Sequence, residues 1–356
     1  MNDALNTLQD DAIDLLKRMI AIPSFSKEEG GTAKLLEDFL FAKNVITSRV
    51  GNNVFAKNKF FDTTKPVLLL NSHHDTVRPN PQYTRDPYLP VTDEGKLFGL
   101  GSNDAGGSLV SLLAVFLHFY ENSDLKYNLV FAATAEEEIS GTGGIELLLP
   151  SLPAINCALV GEPTQMQMAI AERGLMVLDG IAHGKAGHAA RNEGENSIYK
   201  AIKDIEWFTR YKLEKVSPLL GTSKMNVTVI ETENKAHNMV PAVCRYVVDV
   251  RVNELYSFEE ILALVKANVQ SDITPRSTRL RSTAIALDHP LVKAGLQLKL
   301  PYYGSPTTSD KALMPFPALK MGPGDSARSH TADEYIFIDE IKKGIQLYIE
   351  LLNQLL

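Results

Sequence analysis

The sequence of 356 residues is 44% hydrophobic and 22% charged, with a formal net charge of −7, a composition that excludes a disordered chain and a membrane-embedded one. Acidity without any Lys/Arg block leaves no electrostatic footprint for nucleic acid, and the length suggests two domains. Only Cys157 and Cys244 are present, each in an apolar, strand-like run, so neither a disulfide framework nor a thiolate metal site is expected and both read as buried free thiols.

The first 20 residues set Asp3, Asp10, Asp11 and Asp14 among Leu5, Leu8, Leu15, Leu16 and Met19, the pattern of an amphipathic helix. A basic start followed by an apolar run, which a secretory leader would need, is missing. The longest apolar stretch, 109–119, is interrupted by Ser111 and His118 and is too short to span a bilayer. A cytoplasmic location without a membrane partner is therefore expected.

Strand-like runs at 67–70, 127–132 and 158–160 alternate with helical patterns at 33–42, 107–120 and 144–149. This is the rhythm of an α/β domain with a mixed, mostly parallel sheet flanked by helices. Beyond Glu172 the order becomes strand (175–182), helix (196–212), strand (224–230), strand (243–250) and helix (257–268), which predicts an α+β module with an antiparallel sheet. Helical patterns at 291–300 and 336–355 and a strand-like run at 317–320 return to the first type. The expected organisation is a catalytic domain of residues 1–171 and 284–356 with residues 172–283 inserted.

Five polar segments punctuate this pattern. The run Asn71-Ser72-His73-His74-Asp75 ends a buried strand; strand alternation puts His73 and Asp75 on one face and His74 on the other. His73 can bind a metal while Asp75 holds its far ring nitrogen. Gly99-Leu100-Gly101-Ser102-Asn103-Asp104-Ala105-Gly106 opens the helix at 107, in a spacing that fits no phosphate-loop pattern. Thr134-Ala135-Glu136-Glu137-Glu138 and Gly161-Glu162-Pro163-Thr164 each follow a buried strand. Gly322-Pro323-Gly324-Asp325 precedes His330-Thr331-Ala332-Asp333-Glu334. Taken singly, these have plainer explanations: a satisfied polar cluster, an N-cap, a solvated acidic run, a surface histidine. Four of the five, however, lie at strand exits that would share one sheet edge, where α/β sheets place ligands, and together they offer His and carboxylate donors suited to zinc.

The order of these segments resembles the co-catalytic zinc aminoacylase and carboxypeptidase family, which includes acetylornithine deacetylase and succinyl-diaminopimelate desuccinylase. The resemblance implies that His73, Asp104 and Glu162 bind one zinc and that Asp104, Glu138 and His330 bind the other. Cobalt or manganese would also suit these ligands. It implies Glu137 as general base and Asp75 as the orienter of His73, and leaves Glu136 solvated. Two Zn²⁺, three carboxylates and a bridging hydroxide make a neutral cluster, tolerable in a cleft.

The inserted module becomes, by the same resemblance, a lid and dimerisation domain. His188 in Gly187-His188-Ala189-Ala190 would reach the partner subunit's active site in a homodimer, while Asn238 and Arg251 match positions that contact substrate. The implied reaction removes the N-acyl group from a small N-acyl amino acid such as acetylornithine, in arginine biosynthesis. The alternatives are a dipeptidase and a succinyl-diaminopimelate desuccinylase in lysine biosynthesis. A succinyl group would call for one more cation, for which Arg191, Arg173 and Arg328 are candidates. The sequence departs from the family pattern at His74, Leu100 and Arg191, none of them an implied ligand.

Overall fold

Val67–His73 and Asn128–Thr134 are buried at every position, as befits strands covered on both faces. In the computed structural model, which describes residues 2–191 and 193–356, they lie side by side in the middle of a mixed sheet. Met1, where the expected first helix starts, lies outside the described residues. The sheet runs in the order Thr47–Val50, Asn53–Lys57, Asn128–Thr134, Val67–His73, Cys157–Val160, Ala318–Lys320, Met168–Glu172. From Asn128–Thr134 to Ala318–Lys320 the strands are parallel, and the flanking pairings are antiparallel. Register places His73 opposite Thr134 and Asn71 opposite Val160. Three consecutive chain exits therefore open at one edge.

The chain divides into two compact units, Met1–Ile170 with Ile285–Tyr303 and Ser309–Leu356, and Ala171–Ala284 with Gly304–Thr308. The segment Gly304–Thr308 thus groups with the second unit, whereas the sequence pattern places it with the first. In the first unit, helix Gly107–Phe119 packs on the central strands and is itself covered by helices Asn2–Ile20 and Ile338–Asn353. The opposite face buries Leu69, Val130 and Val160 against Ile145, Leu148 and Met314. At about 25 cal/mol per Å² of apolar area, each such aliphatic side chain contributes roughly 1.5–3 kcal/mol.

Several element ends differ from expectation by up to three residues, helices Gly30–Ala42 and Pro290–Gln297 among them, and two such differences have a plain physical reason. Tyr335–Phe337 is a strand paired with Lys96–Phe98, because its aromatic and branched residues favour extended pairing, and the helix starts only at Ile338. The helix expected at 144–149 is confined to Ile145–Leu148, followed by a 3₁₀ turn that contains Pro150, a residue that cannot supply the next helical N–H. Among the described residues, no helix is long and apolar enough to cross a membrane.

The second unit is a four-stranded antiparallel sheet in the order Lys224–Glu231, Val243–Val252, Gly174–His183, Asp272–Pro275. Alternate residues of Gly174–His183 are buried, giving one core face of Met176, Leu178, Tyr246, Val248 and Val250 with Phe208 and Ile261. Asn196 caps helix Ser197–Arg210, and a Ser257/Glu260 capping box starts Phe258–Asn268; each cap is worth about 1 kcal/mol.

Candidate metal centre

His73 ends its strand fully buried, with Nδ1 3.0 Å from the carbonyl oxygen of Asp75 and 3.4 Å from its carboxylate. The nearer acceptor is thus the Asp75 backbone, where sequence reasoning names the side chain. With Nδ1 so engaged, Nε2 is the ring nitrogen that faces the carboxylates. Asp104 Oδ1 lies 3.3 Å, Glu162 Oε1 3.8 Å and Glu137 Oε2 3.9 Å from Nε2. Asp104 presents its other oxygen, Oδ2, 3.7 Å from His330 Nε2, and the same His330 nitrogen donates to Glu138 Oε2 at 2.9 Å.

The Asp75 carboxylate has a second task. It accepts the amide N–H groups of Glu137 and Glu138 at 3.1 and 3.2 Å and the Ser26 hydroxyl at 2.6 Å. One side chain therefore links the exit that carries His73 to the turn that carries both glutamates. That turn is braced further: Asn53 accepts from the Ala135 amide at 2.9 Å, and buried Glu29 accepts from the Glu136 amide at 3.2 Å. Glu136 is only partly solvated, where full exposure is expected; its carboxylate accepts the Gly143 amide and packs where a Cβ on Gly143 would lie. Its φ of 54° turns the chain so that Glu137 and Glu138 face the cluster.

The electrostatics follow from crowding. Burial alone pulls the His73 imidazole down, but Glu137, Asp104, Asp75 and Glu162 outweigh it and hold it well above its ordinary value. Burial pushes Glu137 well above the carboxylate range, with Glu162, Asp310 and Glu138 adding repulsion against the pull of His73. Glu138 is raised by burial and by Asp104, while His330 opposes. The hydrogen bond to Glu138 carries His330 up to about 9 against its own partial burial. Asp104 goes the other way: burial would raise it, but the His73 hydrogen bond and charge hold it low.

Four carboxylates converging on two imidazoles in a partly desolvated cleft call for added positive charge. The donor set fits divalent metals. His73 with Asp104 and Glu138, and His73 with Glu137 and Glu162, each bring three donor atoms within 4.8 Å of one another. These groupings differ from the implied ligand sets, since Glu137 rather than Asp104 closes with Glu162, and Glu138 reaches the His73 group.

A protein-family model described as Peptidase family M20/M25/M40 matches residues 69–354. The chain belongs to that family. Among curated M20 relatives, a succinyl-diaminopimelate desuccinylase of Cereibacter sphaeroides is 28% identical over 69% of each chain. A putative [LysW]-lysine/[LysW]-ornithine hydrolase of Pyrobaculum aerophilum is 29% identical over 96% of this chain and 97% of its own. Among solved structures, the aminopeptidase PepT of Bacillus cereus superposes with a TM-score of 0.79 at 17% identity, covering 97% of this chain and 98% of its own. The YXEP protein of Bacillus subtilis, described as a dinuclear metal binding peptidase from the M20 family, gives 0.73 at 15% identity over 98% of both chains. The M20 fold and a metallohydrolase follow.

His188, Asn238 and Arg251 lie in the second unit and are described within it. His188 is exposed and its Nδ1 accepts the Ala190 amide at 3.2 Å. Asn238 lies beside it, its carbonyl accepting the Ala189 amide at 3.0 Å. Arg251 spends its fork on Asp249, at 2.8 and 3.0 Å. Two of the cations considered for a second substrate carboxylate are likewise engaged. Arg328 forms a two-pronged pair with Glu340, at 2.7 Å each, and Arg173 donates to the carbonyls of Thr222 and Leu220. Only Arg191 of the three has its charge exposed without a protein partner among the described residues.

Besides Glu29, two further buried acids near the centre have no role assigned from the sequence. Asp310 accepts from the Thr134 hydroxyl at 2.7 Å and from the Asn71 amide at 3.1 Å, and burial, tempered by those bonds, lifts it to about 6. Nothing in its neighbourhood signals this. Glu334 accepts the amides of Gly101, Asn103 and Asp104, and its only sequence signal is its place behind His330. Burial and the Asp104 charge raise it to about 8, against the pull of those amides.

Proposed function

We propose that this M20 protein hydrolyses the amide bond of a small N-acyl diamino acid with two zinc ions, one on His73, Asp104 and Glu162 and the other on Asp104, Glu138 and His330. The observation that carries the reading is Asp104, whose two oxygens face two imidazoles, Oδ1 towards His73 and Oδ2 towards His330. Bound divalent ions supply a water of lowered pKa and a polarised carbonyl. Glu137, largely buried among like charges, has the raised basicity that suits a general base. It takes the water's proton and returns it to the leaving nitrogen, so that acid and amine part as products. Asp75 keeps the Glu137 amide and the His73 ring in one frame.

For the amine half, the names of the relatives support a diamino acid, since diaminopimelate, lysine and ornithine share a second amino group. For the acyl half, those names favour succinyl in lysine biosynthesis, while the segments at 134–139 and 322–324 resemble acetylornithine deacetylase in arginine biosynthesis. Both routes would operate in the cytoplasm. N-acetyl-ornithine, N-succinyl-ornithine, N-acetyl-citrulline, N-succinyl-diaminopimelate and dipeptides, tested on zinc-replete protein, decide between them. Turnover of dipeptides far above every acyl substrate would overturn the deacylase reading.

The second unit serves in this proposal as lid and dimerisation domain. Tyr199 and Ile202, one turn apart, and Val229 and Ile230 on the edge strand are exposed apolar residues of a kind that a second copy would cover. His188 would then stabilise the oxyanion in the partner's site, with Asn238 and Arg251 contacting substrate. Mixing inactive Glu137→Ala and His188→Ala proteins tests this: regained activity supports action in trans, and none after proven subunit exchange refutes it.

A further inference from the structure

Asp333 and Glu334 are adjacent acids with different clients. Asp333, near the surface, accepts the Thr84 and Arg85 amides at 2.9 Å each and the Thr84 hydroxyl. Glu334 is buried. Its Oε1 accepts the Asn103 and Asp104 amides at 2.8 and 2.9 Å and its Oε2 the Gly101 amide at 3.0 Å. Its own carbonyl accepts the Gly99 amide at 3.0 Å. Every one of these bonds ends on the turn that carries Asp104, more than 200 residues away in the chain. Gly101 adopts φ 74° and has no room for a Cβ against Thr76, so the turn itself is tightly specified. Four residues before Glu334, His330 points at Asp104 and Glu138.

We infer that Glu334 is a positioning residue for the metal centre: it fixes the Asp104 carboxylate relative to His330, so that one aspartate can serve both metals. The inference rests on the two-metal reading above. A carboxylate receiving three N–H groups cannot be replaced by an amide without loss, because the amide offers only one acceptor oxygen and turns its NH₂ towards an N–H. Partners that hold ligands in this way typically change metal affinity by about 10–100-fold when lost.

The test measures zinc affinity by competition with a chromophoric chelator, alongside thermal unfolding, for wild type, Glu334→Gln, Glu334→Asp and Asp333→Asn. The expected result is a folded Glu334→Gln protein with zinc bound about 10–100-fold more weakly, a smaller loss in Glu334→Asp, and Asp333→Asn within about twofold of wild type. A Glu334→Gln protein that melts earlier yet binds zinc as wild type does would overturn the inference, as would equal weakening by Asp333→Asn. If neither Glu334 variant folds, the residue is structural and the assignment falls. A wild type that binds no metal at all would instead sink the two-metal reading.

Discussion

His73 and His74 are consecutive and equally buried, yet they sit in opposite chemical worlds. His73 faces Asp104, Glu137 and Glu162 and is held well above its ordinary pKa. His74, on the other side, meets the Thr32 hydroxyl at 2.8 Å and the Asn52 carbonyl at 2.9 Å. Burial there dominates the nearby charges and lowers its pKa. The Thr32 oxygen bonds also with Ser24, and Ser24 donates to the His74 carbonyl at 2.8 Å. One side concentrates like charge that calls for a cation, and the other closes on itself with neutral partners. Burial is common to both; partner chemistry makes one a candidate ligand and the other a brace.

The widest separation between the two sides should come from metal removal. Dialysis against a strong chelator is expected to drop turnover below about 1% and zinc to restore it, because only the His73 side depends on added charge. Retained activity in verified metal-free protein would break the comparison. Glu137→Gln should follow, with kcat lower by roughly 10²–10⁴-fold and zinc still bound; full activity in that variant would remove the residue from its role as base.

Much of this contrast is legible in the amino-acid sequence. Period-two alternation alone separates His73 from His74, and parallel strands that end together bring the exits at His73, Thr134 and Val160 to one edge. What stays hidden are the partners of single charges. Arg328 reads as a free cation until Glu340, at the start of the last helix, is found in its fork. Glu136 reads as the one solvated member of its acidic run until Gly143 closes on it. Glu334 and Asp310 hold groups more than 170 residues away, and no local pattern records a contact of that span.

Exchange of the two histidines tests the comparison more finely. His73→Ala is expected to weaken zinc binding by about 100-fold or more. His74→Ala should leave zinc affinity and kcat within a few fold. It should lower stability by about 1–3 kcal/mol, because Thr32 and the Asn52 carbonyl lose a buried partner. The check is denaturant unfolding beside a zinc titration. If His74→Ala released zinc as readily as His73→Ala, the two sides would be one functional unit.

The smallest effect isolates burial from partners altogether. Cys157 lies in the next strand, opposite Leu68, buried, and desolvation alone lifts its thiol to about 11. The neutral thiol is the form the fold prefers. Its contribution to stability is complete below the unfolded value of about 8.5 and is lost as pH rises through the folded one. At pH 8 only about one molecule in a thousand should carry a thiolate, so a disulfide reagent should label native Cys157 far more slowly than an exposed thiol. The rate should climb with pH towards 11, and denatured protein should label at once. Rapid labelling of the native thiol at pH 8 would mean that this strand opens. The dry interior assumed on both sides of His73 and His74 would then have to be given up.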